Sequence, residues 1–117
     1  MTAYPTRPEV LSVVAGPLAL TLTLQVPASL RWFRGHFPHH PILPGLVQLA
    51  WAMAHACEHF GLDPAVERVA GLKFLRIIRP GAELKLDLDW AEGERNLSFR
   101  FSQHDSTCSS GRFILAR

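Results

Sequence analysis

Long apolar runs, blocks of like charge and metal-type cysteine spacings are all missing from this chain of 117 residues. No uninterrupted apolar stretch approaches the roughly 20 residues that a helix needs to cross a bilayer. The first ten residues, MTAYPTRPEV, lack the basic start and apolar centre of a secretory signal. A cytoplasmic protein without a membrane span is therefore expected. Twelve Lys and Arg stand against ten Asp and Glu, a net charge of +2 with neutral histidines, and the basic residues are scattered. A nucleic-acid binder depends on a concentrated positive face, so nucleic acid is not expected as a partner. The two cysteines, Cys57 and Cys108, are read as free thiols of a reducing compartment and are given no role.

What is present is a globular balance, with 48% apolar and 19% charged residues. The length suits one core, so a single domain over residues 1–117 is expected. Two β-rich runs broken by Gly16 and Pro17 open the chain. In the second, Leu18, Leu20, Leu22 and Leu24 alternate with Ala19, Thr21, Thr23 and Gln25, which predicts the second arm of a hairpin with one buried face. The stretch PASLRWFRGHFPHHPILP carries four prolines and must be an irregular loop. After Pro44, GLVQLAWAMAHACEHF has no proline or internal glycine and stops at Gly61, as a helix of about four turns would. From Leu46 to Cys57 only Gln48 and His55 are polar, which predicts a helix buried nearly all round.

The remainder reads as strands: VERVAGLKFLRIIRP, AELKLDLDW, NLSFRFSQ and GRFILAR, with glycine-containing turns at RPGAE and AEGER. One strongly apolar helix and several strands with a single dry face fit an α+β hot-dog fold, a curved antiparallel sheet wrapped around one long central helix. One sheet leaves part of such a helix uncovered, so a dimer is expected.

The stretch GHFPHHPILPGLVQLAWAM resembles the signature of the hot-dog dehydratases (FabZ/FabA-like) that act on 3-hydroxyacyl groups carried by acyl carrier protein. In that signature Gly-His-Phe-Pro leads through Pro-x-x-Pro-Gly into the central helix. LKFLRIIRPGAELKL resembles the same family's later strand, turn and strand, and the wording ILPGLVQLAWA looks most like the ApeI-like branch associated with aryl-polyene biosynthesis. The resemblance implies a dimer with acyl tunnels at its interface, each using a histidine of one chain and a helix carboxylate of the other. By position His36 is the catalytic histidine, Gly45 the helix-start glycine, and Ala50 stands where the family carries its acid. Phe37, Pro44, Leu46, Ala50 and Trp51 are the substrate-binding candidates. Acyl carrier protein and a like or related hot-dog chain are the expected partners. No metal and no cofactor is expected.

Dehydration of a 3-hydroxyacyl thioester needs a base for the proton beside the carbonyl, an acid for the departing hydroxyl and a donor for the carbonyl oxygen. His36 suits the first, since an imidazole titrating near pH 6.5 is mostly neutral in the cell. The N–H of Gly45 at the positive end of a helix suits the third. The second is missing: Leu46, Ala50, Ala54 and Cys57 share one helix face and none is a carboxylate. Glu58 lies about 12 Å further along and off that face, and Gln48 points nearly opposite to Ala50. Three readings stay open: a dehydratase in which His36 serves as base and acid, an acyl-binding or acid-deficient partner of an active chain, and an acyl thioesterase.

Other features have plainer readings. His39 and His40 lie too close together to form a metal site without a third ligand, and His55 with His59 lacks the remaining pattern of a helical zinc site. Trp32 and Phe33, before Arg34, either line an acyl entrance or pack a loop. Trp51 either fills acyl space or is core. Lys73, Arg76 and Arg79 either receive an acidic carrier or are a solvated face.

Overall fold

The computed structural model describes residues 6–30 and 41–117. Six strands and one helix follow in the order β1 (Glu9–Ala15), β2 (Ala19–Gln25), α1 (Gly45–Phe60), β3 (Val66–Phe74), β4 (Glu83–Ala91), β5 (Asn96–Gln103) and β6 (Ser106–Leu115). The strands form one antiparallel sheet in the order β1-β2-β4-β5-β6-β3. The helix lies in the crossover that carries the chain from β2 to the far edge. This is the α+β hot-dog arrangement.

Alternation in the sequence becomes rungs across the sheet. Leu22 pairs with Leu86 and Leu86 with Phe101; Leu20 pairs with Leu88 and Leu88 with Phe99. All six side chains are buried, because period-two alternation in strands of matched register puts every apolar residue on the same face. Phe99 is paired with Gly111, where a Cβ would stand only 3.0 Å from the Phe99 ring. The glycine leaves the volume that the ring occupies.

The helix starts after Pro44 and ends at Gly61, whose left-handed φ of 69° lets its N–H donate to the Cys57 carbonyl at 3.0 Å. Glycine meets no steric penalty in that conformation and so closes helices often. Val47, Gln48, Trp51, Ala52, His55 and Ala56 are buried. The expectation of near-complete burial is corrected here: Leu46 is 78% exposed and Ala50 is exposed as well. A single sheet covers one side of a helical cylinder, and the opposite flank of this one is open.

Three strand readings also change. Leu18 is exposed, because the turn closed by Gly16 N–H on Ala19 O places it before β2 begins. β3 ends at Phe74, and in place of the alternation of β4 and β5 its described residues are almost all exposed. It is an edge strand bonded on one side to β6. β6 starts at Ser106, five residues before the predicted GRFILAR, because the polar run STCSS pairs with β5 and the end of β3.

Phe101, fully buried at the centre of the sheet face, tests this packing. Phe101→Ala should cost about 3–5 kcal/mol, read as a lower urea midpoint with an unchanged slope.

Candidate functional site at the helix head

The first turn of α1 is held from two sides. On the chain side, the Leu43 N–H donates to the Ile78 carbonyl at 2.7 Å, and the Pro44 carbonyl accepts from the N–H groups of Val47 and Gln48 at 3.1 and 3.2 Å. On the sheet side, the Phe74 ring lies where a side chain on residue 45 would be: a Cβ there would come within 2.6 Å of it. Gly45 thus admits the ring at a close approach that a Cβ would have to displace, in a backbone conformation open to any residue. Among the described residues no side chain caps the helix, and no acidic residue stands in its first turn. The N–H groups of Gly45 and Leu46 head the helix, where they have no carbonyl within it to bond and where the helix dipole is positive.

Two hollows meet this region. One, of about 320 Å³, is lined by Gly45, Gln48, Ile42, Phe74, Arg76 and Ile77 among others. The second, of about 470 Å³, runs along the open flank of the helix between Leu46, Val47, Ala50, Trp51 and Ala54, with Thr6 and Arg7 at its side. It is the more apolar groove, as the small residues of the helix dictate. Trp51 is 4% exposed, and its Nε1–H donates to the Thr6 carbonyl at 3.0 Å. It is both core and groove wall. The Arg7–Glu58 pair at 2.9 Å adds a second tie between the amino-terminal segment and the helix. That pair is exposed and contributes little by itself.

The site residues expected from sequence are therefore divided. Leu46, Ala50 and Trp51 share the apolar groove; Gly45 lines the other hollow, and Pro44 precedes it as the helix cap. His36 and Phe37, with Trp32, Phe33, Arg34, His39 and His40, lie outside the described residues. Lys73, Arg76 and Arg79 are exposed, Lys73 on β3 and the two arginines on the loop after it.

Sequence reasoning set Gln48 aside, and its direction away from Ala50 is as expected. It is nonetheless bonded: its Nε2 donates to the Leu43 carbonyl at 3.2 Å, and its Oε1 accepts from the Ser109 hydroxyl at 2.6 Å. Ser109 was missed. The available signal was a serine run inside an otherwise apolar strand, but its partner lies 61 positions away.

His55 and His59 do not converge. His59 bonds the Gly16 carbonyl through Nε2 at 2.9 Å, whereas His55 is buried with its Nε2 lacking a partner among the described residues. Among those residues no group of three or more His, Cys, Asp or Glu side chains could hold a metal. Burial raises the thiol pKa of Cys57 and of Cys108, which disfavours their thiolates. Burial lowers the His55 pKa, the nearby Arg7 charge lowers it further, and Glu58 partly opposes both.

A histidine whose folded pKa lies below its unfolded value takes up its proton more readily in the unfolded chain. Stability should therefore fall as pH drops below about 6.5 toward the lower folded value. The decline should be shallower in His55→Leu, as urea midpoints at pH 7.5 and 5.5 would show. At the helix head, Gly45→Ala should push the Phe74 ring off the first turn. Aromatic proton shifts of that ring should move, while those of Phe99 and Phe113 stay in place.

Comparison with known proteins bears on the same region. The family model described as ApeI dehydratase matches residues 15–112. A 3-hydroxyacyl-acyl-carrier-protein dehydratase FabZ of Pediococcus pentosaceus is 33% identical over 86 residues, 68% of this chain and 58% of the relative. The chain spans about half of the length of the curated relatives it matches first. Among solved structures, the dehydratase heterocomplex ApeI:P of Xenorhabdus doucetiae aligns with a TM-score of 0.88 and 31% identity, covering 95% of this chain and 99% of that one. A protein of Erwinia carotovora subsp. atroseptica aligns with a TM-score of 0.76 and 34% identity, covering 93% and 95%. With a family model matched across most of its length, from the end of β1 into β6, and the fold to go with it, this chain belongs to the ApeI-like family.

Proposed function

We propose that this chain takes part in the dehydration of 3-hydroxyacyl thioesters on acyl carrier protein to trans-2-enoyl thioesters, in fatty-acid or polyene-type biosynthesis. It does so paired with a second hot-dog chain that contributes the acid. The observation that carries the reading is the open, apolar groove along Leu46, Ala50 and Ala54, on a helix whose head presents the Gly45 N–H. Membership of the ApeI-like family and similarity to FabZ dehydratases support the reaction class.

In the proposed reaction, His36 takes the proton from C2 of the thioester while the carbonyl oxygen gathers charge against the Gly45 N–H. The C3 hydroxyl leaves with a proton from an acid, so that one water departs and a C2–C3 double bond remains. The described helix face offers no carboxylate for that last transfer. A partner chain lying over the open flank would bring one to the groove. The exposed edge of β3 favours such pairing, with Val66, Val69, Leu72 and Phe74 each at least 40% exposed beside unpaired backbone. The similar ApeI:P structure is a dehydratase heterocomplex. Arg76 lines the hollow at the helix head, with Lys73 and Arg79 exposed on the same segment of chain, where an acidic carrier would deliver its acyl group. A cytoplasmic location accords with that substrate.

The test is turnover of a 3-hydroxyacyl carrier substrate by the full chain, alone and with a hot-dog chain bearing Asp or Glu at the position of Ala50. The pair should turn over faster by about 100- to 10,000-fold, the usual value of a positioned acid. Ala50→Glu should recover part of that rate in the chain alone. His36→Ala should remove it from the pair; an unchanged rate in that variant would defeat the assignment of the base.

A further inference from the structure

We infer that the buried Gln48–Ser109 clasp is the positioning device for the Gly45 amide, a role that rests on the dehydration reading above. A helix is commonly stabilised at its head by a Ser, Thr, Asp or Asn whose oxygen accepts from the N–H of the second or third helical residue. Here proline stands at that place, with no side-chain bond and no acid in the first turn. An oxygen there would sit at the same positive pole that is to receive the thioester carbonyl, and would compete with it.

Stabilisation of the helix head comes from behind instead. The Gln48 side chain reaches back across the first turn to donate to the Leu43 carbonyl, and it is fixed in turn by the Ser109 hydroxyl. Gln48 is 3% exposed and Ser109 is fully buried, so neither bond is exchanged with bulk water. Ser109 is also the Cα partner of Phe74, whose ring packs on Gly45. One rung of the sheet thus grips the first turn twice, by a hydrogen bond and by a ring. Leu43 is anchored independently through its N–H to Ile78. The clasp fixes residues 43 to 48 as a unit and leaves the head N–H groups unspent. A positioning role follows, since a displacement of about 1 Å can cost about a hundredfold in rate.

The experiment combines Ser109→Ala with the double variant Gln48→Met/Ser109→Ala in the full chain, assayed in the assembly that turns over 3-hydroxyacyl carrier substrate. Ser109→Ala should speed exchange of the Leu43, Val47 and Gln48 amides by about tenfold or more relative to those of β4 and β5. It should lower kcat by about 10- to 100-fold with little change in KM. In the double variant the Gln48 oxygen is no longer orphaned but the Leu43 carbonyl loses its donor, so the urea midpoint should rise only part of the way toward that of the parent while kcat stays low. Recovery of kcat together with the midpoint would reduce the clasp to a stability element and overturn the inference. Unchanged exchange in Ser109→Ala, or an unchanged kcat with faster exchange, would overturn it too. A parent assembly that fails to turn over this substrate would defeat the proposed reaction; the exchange rates would still decide whether the clasp holds the helix head.

Discussion

A sheet can cover only one side of a helix, and this constraint governs the rest of the molecule. The helix residues from Leu46 to Cys57 are nearly all apolar, yet a six-stranded sheet reaches only the side that carries Val47, Trp51, Ala52 and Ala56. The opposite flank, with Leu46, Ala50 and Ala54, stays open in the single chain. Apolar surface of this kind on a small domain calls for a partner or a ligand. The smallness of the residues there decides between a plug and a groove. Alanines at 50 and 54 leave room, and Trp51 closes the groove on its inner side.

The head of the helix follows a second logic. Its two outermost N–H groups are an electrostatic resource only while nothing within the chain consumes them. Pro44 offers no side-chain acceptor, and Gly45 admits the Phe74 ring in place of a side chain. The polar demand of the buried first turn is met by Gln48, whose amide is satisfied by groups behind the helix. Packing and polarity are thus separated in space: apolar contact at Gly45, hydrogen bonding at Gln48, and at the pole donors without an acceptor among the described residues.

How far this could be read from sequence depends on whether the determining contact is local. The alternation in β2, β4 and β5 and the stop at Gly61 are local, and they predict the hairpin, the strands and both helix ends within a residue or so. The motif from Pro41 to Trp51 is local as well, which is why Gly45, Leu46, Ala50 and Trp51 fall around the two hollows of the site. What could not be read were pairings between distant positions. Ser109 with Gln48 is one; the early start of β6 is another, since its polar residues are drawn into the sheet by backbone bonding. The exposure of Leu46 and Ala50 escaped for a different reason: periodicity reports which residues are apolar, and only the sheet's width decides how many of them find cover.

The acid that the proposed reaction requires is constrained by the same geometry. On a helix of 3.6 residues per turn, a carboxylate can act at the groove only from the Leu46, Ala50, Ala54 row. Moving it one position along the chain turns it by 100°, toward the sheet or into solvent. Gln48 is already turned to the sheet and bonded through both ends of its amide, and Glu58 is paired with Arg7. None of the residues that line the groove is a carboxylate. In the proposed reaction the acid would reach the groove from across the open flank, where the small side chains at Ala50 and Ala54 leave space. Under that proposal the absence of a carboxylate and the exposure of that flank have a single explanation: the surface that lacks the group is the surface left free to receive it.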